Sequence, residues 1–261
     1  MRRRSLLVGA VVVAGAGVTA TAGAWAALGS GPEPARPGAE AGDERLERRH
    51  SGARGQMVDF YTAVPAGYGD GRGLPVCLVL HGGSKRPADF AALGLGGFLT
   101  EAVRRGAPPF VLAGANGDRL AWRRHPGDDP QRMVHEEIPA WCDDRGFDTA
   151  RFAAWGWSMG GSGSLLLAGR FPGFLRAVAA FSPAVTPGDE VFALLHRLSR
   201  VPVGLWCGTD DDLLPNVRAA GRALPVPAAV ADFGPGRHDF TYWSRRIPAA
   251  FSFLGAALTS P

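Results

Sequence analysis

A serine, a histidine and a pair of aspartates carry the side chains that nucleophilic catalysis would need. Ser158 stands at the centre of a Gly-x-Ser-x-Gly pattern, Asp210 and Asp211 follow it along the chain, and His238 comes last. An alcohol is a poor nucleophile near neutral pH unless a base takes its proton, and imidazole titrates in that range. A carboxylate can hold the imidazole in the useful tautomer. We predict Ser158 as nucleophile, His238 as its base and Asp211 as the orienting acid, with Asp210 as the alternative.

Two backbone groups are candidates for a second task, the binding of an oxyanion. Attack on a carbonyl carbon places negative charge on its oxygen, and one well-aimed N–H donor is worth about 3 kcal/mol. The predicted donors are the N–H groups of Met159, at a helix start, and of Gly83, in the segment His81-Gly82-Gly83-Ser84. We expect His81 to shape this loop without transferring protons.

The elements around Ser158 must present its hydroxyl. The mostly apolar run 151–155 predicts a strand, and the run 162–170 predicts a helix. Ser158 then lies at a sharp strand-to-helix turn, the context that a nucleophile elbow requires. A glycine-rich corner also occurs wherever a helix packs closely on a sheet, so the partner residues must decide between the two interpretations.

Strands and helices alternate along most of the chain, which predicts an α/β fold with a mainly parallel sheet and helices on both faces. The candidate groups follow the ends of four strands, where ligands gather in such sheets. Predicted strands cover residues 56–64, 76–80, 110–113, 151–155, 177–181, 203–207 and 226–233. Predicted helices cover residues 87–105, 131–145, 162–170, 189–199, 213–224 and the remainder to 258, broken near Pro248.

With these motifs in place, the chain resembles the esterase D branch of the α/β-hydrolase superfamily, which is similar to the feruloyl esterases and the mycolyltransferases. The resembling segments are Leu80–Gly83, Gly156–Gly161, Ser182-Pro183, Gly208–Asp211 and Gly236–Phe240 with Tyr242-Trp243. The resemblance implies Ser158 as nucleophile, His238 as base, an aspartate after the seventh strand as orienter, and carboxylic-ester hydrolysis. It implies no metal and no organic cofactor. The segment between Ser182 and Asp189 is too short for a lid domain.

The substrate is predicted only as a class, a small-molecule or polymer-linked ester. Trp157, Trp122 and Trp243 could line an apolar acyl or aryl pocket, with packing in the core or at the rim as the alternative. Arg123 and Arg124 could meet an acidic substrate group, but the sequence favours solvated loop charges.

The N-terminal segment indicates export. Arg2, Arg3 and Arg4 precede a weakly hydrophobic run, 8–28, which resembles a twin-arginine signal with small residues suited to cleavage. An uncleaved membrane anchor is the alternative, and membrane contact is expected only through it. The predicted organisation is an export segment at 1–28, a flexible linker at 29–55 and a catalytic domain at 56–261. We expect an exported protein, secreted or associated with the cell envelope.

Composition and charge exclude several classes of function. Hydrophobic residues make up 46% of the chain and charged residues 20%, which is typical of a globular protein. Of the net charge of +4, three charges belong to the first arginines, so nothing favours a nucleic-acid partner. The odd count of cysteines, Cys77, Cys142 and Cys207, predicts small buried residues and no disulfide framework or zinc site.

The remaining histidines, His125, His135 and His196, are predicted to be surface or packing residues. Two functional alternatives stay open at the level of sequence. One is acyl transfer to an alcohol, as in mycolyltransferases, and the other is a non-catalytic binding module that retains a hydrolase scaffold.

Overall fold

The computed structural model describes residues 33–260, and its centre is one eight-stranded sheet. The strands are β1 Glu44–Ser51, β2 Gln56–Ala63, β3 Pro75–Leu80, β4 Val111–Ala115, β5 Asp148–Trp157, β6 Leu175–Phe181, β7 Val203–Trp206 and β8 Val230–Asp232. Their order is β1-β2-β4-β3-β5-β6-β7-β8. The pairs β1–β2 and β2–β4 are antiparallel, and all other pairs are parallel. The predicted mainly parallel sheet is confirmed.

Helices cover both faces of this sheet, as predicted. They are α1 Leu95–Arg104, α2 Pro130–Arg132, α3 Ile138–Asp144, α4 Met159–Arg170, α5 Glu190–Leu194, α6 Leu214–Ala223, α7 Phe240–Ser244 and α8 Ile247–Thr259. Short 3-10 turns at Pro87–Asp89 and Leu195–Arg197 and a π-helical turn at Met133–Glu137 complete the set.

The core consists of two layers because successive strand residues point to opposite faces. Val76 and Leu78 belong to one hydrophobic cluster, together with residues of α3, α4 and α6. Cys77 and Val79 belong to the other, together with residues of α1 and α8. All three cysteines are buried and free, in agreement with the sequence prediction.

The predicted flexible linker at 29–55 is wrong for its described part. Residues 44–51 form the edge strand β1, so β2 is not the edge. Before β1, the Ala35 N–H donates to Ser244 Oγ at 2.8 Å, and residues 37–41 pack on α1. Gly96 and Gly97 leave room there, since a Cβ on Gly97 would lie 2.5 Å from the Ala39 carbonyl oxygen. The folded unit therefore begins near Pro34 and not at residue 56.

Two predicted elements are shorter in the structure. The strand expected at 226–233 is reduced to β8, since Pro225 and Pro227 lack the N–H groups that a ladder needs. The helix expected at 87–105 is interrupted before α1 by Gly94, whose φ is +74°. Among residues 33–260, no helix is long and apolar enough to cross a membrane. The predicted export segment lies outside the described residues.

Candidate active site

Ser158 lies at the turn between β5 and α4, as predicted. Its φ is +55°, a conformation that few residues other than glycine adopt, so the turn is strained. Neighbouring backbone holds it in place. The Ser158 N–H donates to the Phe181 carbonyl at 2.8 Å, and the Ala184 N–H donates to the Ser158 carbonyl at 3.0 Å. The hydroxyl is thereby fixed at the carboxyl edge of the sheet.

The glycines of the elbow permit a very close approach of three backbone segments. A Cβ on Gly160 would lie 1.8 Å from the Leu80 carbonyl oxygen, and one on Gly156 would lie 2.3 Å from the Gly160 carbonyl oxygen. Both distances are far below any van der Waals contact. The Gly-x-Ser-x-Gly pattern is therefore a steric requirement for packing α4 against the end of β3.

The loops after β7 and β8 bring the predicted acid and base together. The Thr209 N–H donates to the Gly234 carbonyl and the Asp210 N–H to the Gly236 carbonyl, each at 2.9 Å. Gly208 permits this contact, because a Cβ there would lie 2.1 Å from the Gly236 carbonyl oxygen. Backbone bonds thus continue past the two strands and fix one loop against the other.

Ser158, His238 and Asp211 form a continuous hydrogen-bonded relay. The distance from Ser158 Oγ to His238 Nε2 is 2.9 Å, and that from His238 Nδ1 to Asp211 Oδ2 is also 2.9 Å. Asp211 is buried, whereas Asp210 is exposed and makes no side-chain hydrogen bond within residues 33–260. The geometry therefore selects Asp211 over the alternative, Asp210.

Several donors hold the Asp211 carboxylate in its charged form. Burial opposes ionisation, but bonds from His238, the Ser182 hydroxyl and the Leu213 N–H outweigh it and lower the pKa of Asp211. Ser182 in turn accepts a bond from Trp243 Nε1 at 3.0 Å, which leaves the hydroxyl proton free to point elsewhere. Sequence reasoning assigned Ser182 no role. Its one signal is a position directly after β6, at the edge where the other site residues lie.

The two residues that carry the predicted oxyanion donors, Gly83 and Met159, are neighbours. A Cβ on Gly83 would be 3.9 Å from Met159 Sδ. Within residues 33–260, neither the Gly83 N–H nor the Met159 N–H donates to a protein acceptor. The second also begins α4, a helix of 12 residues whose N-terminus favours negative charge. Both groups therefore lack the protein acceptor that would exclude an oxyanion role.

His81 supports this loop, as predicted, and takes no part in the relay. Its Nδ1 bonds to the Gly82 carbonyl and its Nε2 accepts from the Gly117 N–H, each at 2.9 Å. These partners fix the tautomer with the proton on Nδ1. Burial lowers the pKa of His81, which favours the neutral ring.

The expected aromatic pocket is wrong for two of its three residues. Trp122 and Trp157 are 0% and 2% exposed, so neither can line an open pocket. Trp122 donates to the His81 carbonyl and packs on Gly163, and Trp157 packs on Phe90 and under Gly82. Gly163 and Gly82 have no side chain, and the rings of Trp122 and Trp157 occupy the space beside them.

Trp243 is also buried, but it meets the site, because its ring stands edge-on to His238 with centroids 5.0 Å apart. Arg123 pairs with Asp189, and Arg124 lies 3.9 Å from Asp129. Both arginines are thus loop charges with partners of their own, as the sequence favours.

The other histidines are packing or surface residues, as predicted. His135 stacks on Phe171 with ring centroids 3.8 Å apart, and burial lowers its pKa. His125 and His196 are exposed. In the described part of the chain, no group of three or more His, Cys, Asp or Glu side chains could hold a metal ion.

A mainly parallel sheet in this strand order, with a serine at the elbow after β5, defines the α/β-hydrolase fold. Residues 51–254 match the family model described as "Putative esterase". The chain therefore belongs to this esterase family and is a carboxylesterase-type serine hydrolase, which acts on esters.

Solved structures of similar fold agree with this family. A ferulic acid esterase is 19% identical, with 84% of this chain and 99% of that chain covered and a TM-score of 0.71. Fluorophosphonate-binding serine hydrolase F of Staphylococcus aureus is 17% identical, with 83% and 99% covered and a TM-score of 0.68. MPT51 of Mycobacterium tuberculosis is 15% identical, with 84% and 100% covered and a TM-score of 0.68. No curated protein matches the chain significantly. At these identities the likeness establishes the fold.

Proposed function

We propose that this protein is an exported serine esterase that hydrolyses carboxylic esters through an acyl-enzyme on Ser158. The observation that carries the proposal is the relay from Ser158 through His238 to Asp211, with both contacts at 2.9 Å. Each contact is within the reach that proton transfer in such a relay requires.

The first half-reaction forms the acyl-enzyme. His238 Nε2 takes the proton of the Ser158 hydroxyl as its oxygen attacks the ester carbonyl carbon. The buried Asp211 carboxylate holds the proton on Nδ1 and stabilises the imidazolium. The developing oxyanion accepts bonds from the Gly83 and Met159 N–H groups. The imidazolium then gives its proton to the alcohol oxygen as the carbon–oxygen bond breaks.

The second half-reaction repeats these steps with water. The His238 side chain is 35% exposed, so water reaches its Nε2 once the alcohol has left. His238 takes a proton from that water as it attacks the acyl carbon, and returns a proton to Ser158 as the acid leaves. The connection from β6 to α5, residues 182–189, contains no helix or strand that would close the site, which supports access for both small and polymer-linked esters.

Release of p-nitrophenol from p-nitrophenyl acetate, butyrate and octanoate tests this mechanism in wild type and Ser158→Ala. We expect turnover in wild type and a loss of at least about 10⁴-fold in the variant. The melting temperature of the variant serves as the folding control. A fluorophosphonate probe should label wild type at Ser158 and leave the variant unlabelled. Full turnover in a folded Ser158→Ala protein would refute the proposal.

Export is the second part of the proposal and rests on the sequence of the N-terminal segment. Arg3 and Arg4 precede the apolar run, and paired arginines in that place are typical of a twin-arginine signal. Replacement of both by lysine should leave the full chain in the cell, whereas the wild-type chain should appear outside the cytoplasmic membrane. Equal export of both chains would contradict a twin-arginine route.

A further inference from the structure

Two clefts of opposite charge include residues of the candidate site, Gly83 in one and His238 in the other, and we propose that the positive one binds an anionic group on the acyl part of the substrate. This inference rests on the proposed esterase function and names its substrate class: esters whose acyl chain ends in a carboxylate.

The positive cleft lies between the loops that follow β3 and β4. Its volume is about 390 Å³. The lining residues are Gly83, Ser84, Lys85, Arg86, Asp89, Asn116, Asp118 and Arg119. Because Gly83 also carries one of the two proposed oxyanion donors, the cleft adjoins the proposed oxyanion site.

The cationic side chains of this cleft have no ion-pair partner among the described residues, whereas its carboxylates accept hydrogen bonds from neighbouring groups. Within residues 33–260, Lys85, Arg86 and Arg119 form no ion pair. Asp118 accepts bonds from Arg54 Nη2 at 2.7 Å and from the Asn116 side chain at 2.8 Å, and Asp89 accepts from the Arg86 N–H. The Arg54 side chain is wholly buried and pairs with both Asp118 and Asp128, so it holds the Asp118 carboxylate in place beside the cleft. Lys85, Arg86 and Arg119 therefore outnumber the two carboxylates that line the cleft and have no anionic partner among the described residues.

The opposite cleft, of about 750 Å³, adjoins His238 and has the other sign. Its lining includes four carboxylates, Asp210, Asp211, Asp212 and Asp239, and one arginine, Arg237. Asp210 and Asp212 form no ion pair in the described part of the chain. An anionic group would be repelled there, so the two clefts differ in what they accept.

The direction of the reaction decides which part of the ester lies in which cleft. His238 must give its proton to the leaving alcohol, so the alcohol lies on the side of His238. The acyl chain then extends the other way, past Gly83 and towards Lys85 and Arg119. A carboxylate at the end of that chain would lie between the two loops that carry these cations.

Matched p-nitrophenyl esters test the proposal: the glutarate half-ester with a free carboxylate, and the same ester with that carboxylate methylated. We expect wild type to have a kcat/KM about tenfold higher for the charged ester at low salt, because exposed cations act through solvent and contribute modestly. The ratio should fall towards one as sodium chloride is raised to about 1 M, where the Debye length is about 3 Å.

The double variant Lys85→Gln/Arg119→Gln should bring the ratio of the two kcat/KM values close to one at low salt. Arg176→Gln is the matched control, since it removes an exposed arginine at the amino end of β6 and should retain the ratio. A wild-type ratio near one, or a ratio that survives the double variant, overturns the charged subsite while leaving the esterase in place. Absence of Ser158-dependent turnover on both esters would instead overturn the proposed function.

Discussion

The two halves of the candidate site are held in place by different means. The Ser158 side is fixed by contact between backbone segments, with Gly156 and Gly160 pressed against neighbouring carbonyl groups. The Asp211–His238 side consists of loops beyond β7 and β8. Gly208 and Gly236 are in close contact there as well, but hydrogen bonds hold the side chains of Asp211 and His238, and the histidine is partly exposed. An atom added at a close backbone contact forces the packed segments apart and costs much stability. Hydrogen bonds can be removed one at a time, each at a modest cost in free energy. We therefore expect substitutions at the Ser158 side to cause large losses of stability, and substitutions at the Asp211–His238 side to reduce activity by amounts that depend on the hydrogen bond removed.

The largest effect should come from Gly160→Ala. The added Cβ would lie 1.8 Å from the Leu80 carbonyl oxygen, so α4 could not pack on β3. We expect a loss of more than about 3 kcal/mol in the free energy of unfolding, or no soluble protein. Gly83→Ala is the control for stability, since its nearest neighbour is 3.9 Å away. Equal urea unfolding curves for the two variants would show that the turn at Ser158 has room for a side chain at position 160.

The second effect concerns the hydrogen-bonded side. Asp211→Asn retains the shape of the carboxylate but cannot hold the same His238 tautomer, so kcat should fall by about 10⁴-fold with little loss of stability. Asp210→Asn removes an equal charge one residue away and should change kcat by less than about threefold. Similar losses of kcat in both variants would show that the total negative charge of the loop matters, and not the one carboxylate that contacts His238.

Much of the arrangement of the candidate site could be predicted from the sequence. Gly156, Ser158 and Gly160 stand in a fixed pattern next to an apolar strand, and the order of Ser158, the Asp210–Asp211 pair and His238 placed each at a strand end. Local pattern suffices there because a parallel sheet brings the carboxyl ends of its strands to one edge.

Local sequence pattern does not decide three other features of the site. These are the exclusion of Asp210 as the acid, the role of Ser182 and the burial of Trp122. They depend on contacts between residues far apart in sequence, such as Trp122 with Gly163 and Ser182 with Trp243. The start of the domain was missed for a related reason. Composition suggests a linker before residue 56, whereas Pro37, Ala39 and Ala41 pack against Gly96 and Gly97 of α1.

A third, smaller effect should follow from Ser182→Ala. The variant removes the acceptor for Trp243 Nε1 and a hydroxyl that helps to lower the pKa of Asp211, but His238 and the Leu213 N–H still hold the carboxylate. A hydrogen bond to a charged group is worth about 1.5–3 kcal/mol, part of which the remaining donors replace. We expect kcat to fall about tenfold with KM unchanged, and Trp243→Phe to cost less. A loss in Ser182→Ala as large as in Asp211→Asn would mean that the loop has collapsed, which near-UV circular dichroism would detect.

The smallest effect is the pH dependence of stability on the acid–base side. The pKa of Asp211 is lower in the folded protein than in the unfolded chain, where it is about 3.9. The unfolded chain therefore binds its proton first as pH falls, and the stabilisation is present above about pH 4 and lost as pH falls through the folded pKa. The difference in unfolding free energy between wild type and Asp211→Asn should shrink as pH is lowered from about 5 towards 3. Urea unfolding at these pH values measures it, and a difference that grows towards acid would mean that burial, and not the donors around the carboxylate, dominates its ionisation.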